Sequence, residues 1–476
     1  MKKIRKAGVR PFGMRDKLGY LFGDFGNDFT FILSSSFLLK FYTDVMGISA
    51  GVVGIIMMIA RFVDAFTDVA MGRICDRSRI TAAGKFKPWI LRMCGPVAIA
   101  SFLIYQSSFA GMSTVFKIGW LFVTYILWGS IFYTSINIPY GSMASAISVE
   151  PEDRQSLSTF RSIGGTLAGL IIGAGVPMAA YKLDADGNTI MDGEKFMVIA
   201  GVFSALAVGC YLLCYFLVTE RVRFEEKEVK TTESIDGGKE KNANSVFTML
   251  KNAAGNRALI SIIAASIVML LAQLTMQSMA NYVYPNFYGN TAAQSASTLT
   301  MVAAMFLAAA LAKPVSRRFG KAEVSVVSNL LAAVVCFGLF LLRPESVWVY
   351  VALLTLCWLG LGIFSMVNWS LITDVIDYSE LRNGVREDGS VYALYSFARK
   401  LGQAAAAGVS GGLLSLIGYN ETTAFDPEVT TGIFNISTLV PAAGFLLLAL
   451  ILWFWYPLHK KQVEENVEAL KQKHGA

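Results

Sequence analysis

The segment ARFVDAFTDVAMG sets Arg61, Asp64 and Asp68 at i, i+3 and i+7. In a helix that spacing places all three side chains on one face. Two acids and one base leave a residual negative charge, which suits a sodium ion or a proton, because hard cations prefer carboxylate and carbonyl oxygen. An ion-pair cluster locking helices together is the structural alternative. Further polar residues recur in equally apolar surroundings: Asn27 and Asp28 in GDFGNDFTF, Tyr133, Thr134 and Asn137 ahead of Pro139, Arg161 in TFRSIGG, and Arg399 and Lys400 in SFARKLGQA. Lys400 is expected on an interior face, whereas Arg161 and Arg399 have the option of snorkelling to water. Pro139 removes a backbone donor, so a bend is expected beside it. Gln273, Gln277 and Asn281, spaced i, i+4 and i+8, form a polar stripe suited to interhelical hydrogen bonds or to a hydroxyl-rich ligand. Tyr133, Tyr140, Trp369, Tyr392 and Tyr395 offer rings that either stack on sugar faces or simply pack.

Other chemistries find no support. The two histidines, His459 and His474, both lie in the tail, so neither an HExxH metal motif nor a histidine proton relay exists. A P-loop is missing, which leaves ATP drive within this chain unsupported. The stretch DADGNTIMDG resembles a calcium loop, but its glycine is misplaced and position twelve is Lys195, so a turn is expected. With neither a nucleophile–base set nor a metal or cofactor set, the chain is not expected to be an enzyme.

The elements that position these residues follow from composition. Of 476 residues, 54% are hydrophobic and 16% charged, and mean hydropathy is +0.52. Soluble proteins carry about 25% charged residues. Six cysteines without close spacing exclude a disulfide scaffold; Cys94, Cys210, Cys214, Cys336 and Cys357 lie in apolar runs. A helix crosses a hydrocarbon core with about 20 mostly apolar residues. Twelve stretches qualify: 19–41, 52–71, 88–108, 118–144, 156–181 and 196–218, then 259–284, 292–312, 324–342, 347–372, 391–416 and 433–456. The first and eleventh are the weakest, since each contains charge.

The net charge of +7 then separates by side. Lysines and arginines before the first span, in the 73–87 loop, in the 219–258 segment, around 313–321 and in the tail all fall on one side. By the positive-inside rule that side is cytoplasmic, together with both termini. The excess is therefore a topology signal, and nucleic acid is not an expected partner. The predicted organisation is an N-terminal six-helix bundle (1–218), a cytoplasmic linker (219–258), a C-terminal six-helix bundle (259–457) and a cytoplasmic tail (458–476). Short basic loops at corresponding places, MGRICDRSRITAAGKFKPW and KPVSRRFGKAEV, suggest duplication of one half from the other.

At these residues the chain resembles the glycoside–pentoside–hexuronide:cation symporters, the melibiose-carrier relatives within the major facilitator superfamily. The likeness runs through FGNDF, FYTDVMGIS, ARFVDAFTDVAMG, GKFKPWIL, TYILWG, NIPYGSM, ITDVIDYSELRNGVREDG and YSFARKLGQA. It implies an all-α membrane protein of twelve transmembrane helices in two pseudo-symmetric six-helix bundles. By the same resemblance Asp64, Asp68 and Thr134 bind the cation, as metal ligands where the ion is sodium. Asp28, Tyr133, Arg161, Ser396 and Lys400 contact the sugar. Asn137 stands where the melibiose carriers have an aspartate, and Gly141 where they have a tryptophan. Asp374, Asp377 and Arg386 match charges that hold an inward gate closed, with Arg154 as a partner.

The function implied is cation-coupled import of a glycoside, pentoside or hexuronide, driven by Na⁺ or H⁺, with sugar hydroxyls also bonding Asn137. A monomer in a cell membrane is expected to suffice. A carrier of amphiphilic lipids and a non-transporting sugar sensor are the alternatives.

Overall fold

The computed structural model describes residues 10–222, 256–383 and 388–474. Among them run thirteen helices: α1 (Met14–Asp44), α2 (Ala50–Arg77), α3 (Lys87–Ile104), α4 (Thr114–Ile147), α5 (Pro151–Ala179), α6 (Gly193–Leu217), α7 (Arg257–Phe287), α8 (Thr291–Phe319), α9 (Lys321–Leu342), α10 (Val347–Asn383), α11 (Asp388–Leu416), α12 (Pro427–Trp455) and the tail helix α13 (Lys460–His474). Ten are long and apolar enough to cross a membrane. The other two of comparable length are α1 and α11, both of which carry internal charge.

Several helices begin before or continue beyond the apolar stretches that predict them. α10 continues eleven residues past Ile372 through the polar DVIDYSELRN, where it packs against α13. α5 starts at Pro151, whose fixed φ suits a first helical turn, so Arg154 lies inside the helix and not in a loop. The DADGNTIMDG stretch forms a hairpin turn between β1 (Tyr181–Leu183) and β2 (Thr189–Met191). Asp184 caps it by accepting from the Asp186 and Asn188 amides at 2.9 and 2.8 Å.

Packing repeats between the two halves. In the first half α1 packs on α5 and α6, α3 on α6, and α4 on α2 and α3. In the second half α7 packs on α11 and α12, α9 on α12, and α10 on α8 and α9. Adding six to each helix of the first set yields the second. Between halves, α2 meets α11, α5 meets α8, and α1 meets α7, which preserves the same relation. This is a two-fold repeat of six helices.

The halves are sealed together at the end away from the termini. There Lys40, 1% exposed, donates to Asn286 Oδ1 at 2.6 Å and to the Tyr419 hydroxyl at 2.8 Å. Its ammonium also pairs with Asp44 at 2.7 Å and lies 4.5 Å from the Tyr282 ring centroid. Asn281 donates to the Ser36 carbonyl at 2.6 Å, and Ser295 to the Ala174 carbonyl at 2.6 Å. α2 and α11 touch backbone to backbone: a Cβ on Gly54 would lie 3.0 Å from Gly411 Cα and 2.9 Å from the Ala407 carbonyl. Farther toward the terminus-bearing end, Lys400 of α11 reaches across to pair with Asp68 of α2.

Candidate functional site

The interior charges gather where α1, α2, α4, α5 and α11 face one another. α4 carries a π-helical segment, Leu127–Tyr133, before Pro139. The irregularity expected at the proline thus lies earlier in the helix, and π segments commonly mark functional positions. It brings two hydroxyls onto the two acids of α2. Ser130 Oγ donates to Asp64 Oδ1 at 2.5 Å, and Thr134 Oγ1 to Asp68 Oδ1 at 2.9 Å. Both pairs are spaced i, i+4, so the two helices match turn for turn. Arg61 approaches the other Asp64 oxygen at 3.4 Å while its guanidinium lies 4.8 Å from the Phe31 ring centroid. Lys400 of α11 pairs with Asp68 Oδ2. The set therefore brings carboxylate oxygen from α2 and hydroxyl oxygen from α4 together, with the Lys400 ammonium paired to Asp68.

A second group lies alongside on α1 and α5. Arg161 Nε donates to Asp24 Oδ1 at 2.8 Å, and its guanidinium is 5.3 Å from the Tyr140 ring centroid. The snorkelling option for Arg161 is thereby set aside in favour of an interior ion pair. Asp28 has no ion pair among the described residues. It sits one turn beyond Asp24, and both carboxylates crowd Gly165: a Cβ there would lie 2.6 Å from Asp28 Oδ2 and 3.1 Å from Asp24 Oδ2. Asn27 donates to Asn137 Oδ1 at 3.4 Å and accepts from Tyr211 at 2.9 Å. At Gly141 a Cβ would meet Arg161 Nη1 only at 3.9 Å, so the position leaves room beside the guanidinium. Tyr133 stacks on Phe31 with centroids 5.6 Å apart.

Other expected residues fall apart from this cluster. Ser396 is half-buried one turn before Lys400. Arg399 turns away, its guanidinium 5.6 Å from the Trp369 centroid and 5.9 Å from that of Tyr395. Tyr395 is tied into the second half, accepting from Asn368 at 2.5 Å and Ser266 at 3.1 Å. Of the stripe on α7, Gln277 and Asn281 line an interior cavity and Gln273 does not. Arg154 donates to the Ser148 carbonyl at 2.9 Å, and Asp374 is held by Lys321 of its own half at 2.7 Å. Arg386 and the Tyr392 side chain lie outside the described residues.

Two participants escape a reading by spacing alone. Ser130 stands four residues before Thr134, the same interval that separates Asp64 from Asp68, and that match was the available signal. Asp24 was visible as a charge in α1, but nothing local shows that Arg161 selects it over Asp28.

Beyond this cluster, toward the sealed end, lies the cavity of about 360 Å³ between the halves. Twelve long helices in two related sixes, with an interior charge cluster and a cavity on the axis between them, define a membrane carrier of the major facilitator type. The chain belongs to the MFS/sugar transport protein family, whose model matches residues 19–460. It is 31% identical to the uncharacterized symporter YjmB of Bacillus subtilis (strain 168), covering 99% of this chain and 98% of that protein. Identity to the glucuronide carrier protein homolog of Escherichia coli (strain K12) is 29%, over 95% of this chain and 94% of that one. Among solved structures it is similar to a bacterial homolog of the human lysosomal transporter Spinster, in an inward-facing and unoccupied conformation. There the TM-score is 0.65 at 12% identity, over 93% of this chain and 98% of that one, a likeness of fold. It is thus a multi-pass membrane transport protein and not an enzyme.

Proposed function

We propose that the chain imports a glycoside, pentoside or hexuronide by symport with Na⁺ or H⁺. The observation that carries this reading is the Asp64–Asp68 pair, furnished with hydroxyls by Ser130 and Thr134 and closed by Lys400 from the other half. A carboxylate at mid-bilayer costs at least ~2.5–3.5 kcal/mol on insertion scales, so two of them on one face call for a compensating cation. In this conformation the Lys400 ammonium supplies that charge to Asp68. A coupling ion arriving at Asp64 and Asp68 displaces it, and the freed ammonium turns toward the sugar pocket, linking the two sites.

The sugar's hydroxyls and any carboxylate then meet Asp24, Asp28, Asn137 and Arg161. The basic excess orients the terminus-bearing end to the cytoplasm. With the opposite end sealed through Lys40 and α2–α11, the conformation corresponds to the inward-facing state. Transport is rocking of 1–218 against 259–457 about the cluster, the 219–258 segment tethering them and the 458–476 tail remaining cytoplasmic. One protomer contains the whole site, so a monomer suffices. The breakage of Lys321–Asp374 and its replacement by cross-half pairs from Asp374, Asp377, Arg386 and Arg154 closes the inner gate.

One cation crossing 100 mV supplies about 2.3 kcal/mol. At about 1.4 kcal/mol per tenfold, that supports roughly forty-fold accumulation of a neutral sugar from voltage alone. An anionic hexuronide cancels that electrical contribution. The test is counterflow of labelled glycosides, pentosides and hexuronides into proteoliposomes, with and without a Na⁺ or pH gradient. Uptake of at least one sugar that rises with one of the gradients is expected; folded protein that exchanges none of them overturns the proposal.

A further inference from the structure

Two thiols of the second half face each other across α9 and α10. Cys336 Sγ lies 3.1 Å from Cys357 Sγ, and both residues are 0% exposed. Cys357 Sγ is also 3.6 Å from the carbonyl of Ala332, one turn back along α9. One turn on along α10, a Cβ on Gly360 would lie 2.5 Å from the Ser328 carbonyl and 3.1 Å from Ala332 Cβ. Glycine at 360 thus lets the two antiparallel backbones approach closely beside the sulfurs. Toward the terminus-bearing end, Lys321 of α9 holds Asp374 of α10 at 2.7 Å. Fifteen residues of α9 and seventeen of α10 separate that ion pair from the thiols, roughly 25 Å of helix. Cys336 stands six residues before Leu342, near the end of α9 that the basic excess places outside the cell, where disulfides persist.

Geometry selects the chemistry the pair can do. A disulfide has its sulfurs about 2.05 Å apart, so these two have about 1 Å to close, which rotation about the Cα–Cβ bonds supplies. Two thiolates on a tetrahedral metal, each at about 2.3 Å, would sit about 3.8 Å apart, farther than these. No group of three or more His, Cys, Asp or Glu suited to a metal occurs among the described residues. Complete burial restricts the oxidant to a small uncharged molecule and shields the finished bond from reductants.

We propose that Cys336 and Cys357 are a modification site, forming an intramembrane disulfide that staples α9 to α10 by exchange with a small uncharged disulfide. One thiol loses its proton and its sulfur attacks the oxidant, forming a mixed disulfide and releasing a thiolate. The second cysteine sulfur, its proton also lost, attacks the first at the mixed disulfide and releases the other thiolate. Two cysteine thiols are thereby oxidised by two electrons, and the oxidant leaves as two thiols carrying the two protons. The bond closes a loop of about 20 residues and so restricts the unfolded chain. Neither cysteine lines the cavity and both helices belong to one half, so the staple braces that half without joining it to the other.

The experiment treats purified full-length carrier, in proteoliposomes and in detergent, with 2,2′-dipyridyl disulfide, followed by digestion without reduction and mass spectrometry. A peptide joining Cys336 to Cys357 is expected, separating into two with dithiothreitol. The thermal unfolding midpoint of the same samples should rise by about 5 °C on oxidation and fall back on reduction. Cys336→Ala and Cys357→Ala should each abolish both the joined peptide and the rise, and either one gives the answer where the other fails to fold. Folded wild type that yields no such peptide in either setting, or joins these two cysteines no more often than the other four, overturns the site. A joined peptide with an unmoved midpoint, or a rise that persists in both variants, overturns the bracing role.

Discussion

Arg161 is paired with Asp24 and not with Asp28: Nε to Oδ1 is 2.8 Å, and no ion pair reaches Asp28 among the described residues. The two acids are one turn apart on α1 and share contact with Gly165. One acid therefore fixes the guanidinium while the other keeps its lone pairs for a ligand hydroxyl. The pair lies partly open, with the Arg161 side chain 41% exposed, so its worth is discounted for solvent screening.

Asp24→Asn should loosen Arg161 and weaken sugar binding about ten-fold, equivalent to about 1.4 kcal/mol. Asp28→Asn should abolish binding more completely, because it removes an acceptor from the substrate itself. Arg161→Lys keeps the charge but loses the planar fork, and it should not restore wild-type affinity. Titration of the three variants with a transported sugar checks the order. Equal losses for Asp24→Asn and Asp28→Asn would remove the division of labour.

Ser130→Ala takes a hydroxyl from Asp64 and from the coordination of any ion held there. A hydrogen bond to a charged group contributes about 1.5–3 kcal/mol, so the half-saturating cation concentration should rise at least ten-fold. The sugar's own half-saturation at excess cation should move little. Asp64→Cys should eliminate cation stimulation altogether. Uptake measured across Na⁺ and pH series reads both, and a Ser130→Ala carrier with unaltered cation dependence takes that hydroxyl out of the site.

Lys400→Ala should uncouple the two sites, since Lys400 is the group from the second half that meets Asp68. Sugar exchange at equilibrium should survive weakly while gradient-driven accumulation is lost. If accumulation persists, the residue serves packing alone.

Lys40→Met leaves Asp44 without its ammonium in a buried setting, where breaking a pair costs about 3–5 kcal/mol. The loss falls on the sealed conformation, because Lys40 bridges the halves only there, through Asn286 and Tyr419. Spin labels at the exposed Asp186 and Thr422 positions should therefore move apart in Lys40→Met relative to wild type. An unchanged distance distribution would show that the seal depends on other contacts.

Gly54→Leu tests those other contacts. Its side chain has no room against the Ala407 carbonyl and Gly411 Cα, so it acts as a wedge between α2 and α11. The same label pair should shift to longer distance with the second-half fold intact by circular dichroism. No shift would mean that the helices slide to accept it.

The architecture was legible along the chain wherever it followed from local composition. A span announces itself because every residue in it meets lipid or another helix, and so each of the twelve apolar stretches coincides with one helix, four of them (88–108, 156–181, 196–218 and 433–456) running one to four residues past its end. The two stretches weakened by charge, α1 and α11, are the two that fall outside the ten apolar enough by composition. Helical spacing also placed Asp64 and Asp68 on one face, since that depends on the backbone of a single helix.

What faces that stripe was a different matter. Ser130 meets Asp64 because a π segment resets the rotation of α4, a displacement that residue types do not announce. Arg161 meets Asp24, Arg399 turns to Trp369, and Lys321 holds Asp374, in each case by the mutual rotation and sliding of two helices distant in sequence. Periodicity in one helix defines which residues share a face; it contains no term for the phase of the neighbour. By itself the sequence determined the spans, the duplicated halves and the polar residues too costly to leave without purpose. The tertiary structure alone decided which charges are paired, which are left without an ion pair among the described residues, and that a cavity between the halves adjoins them.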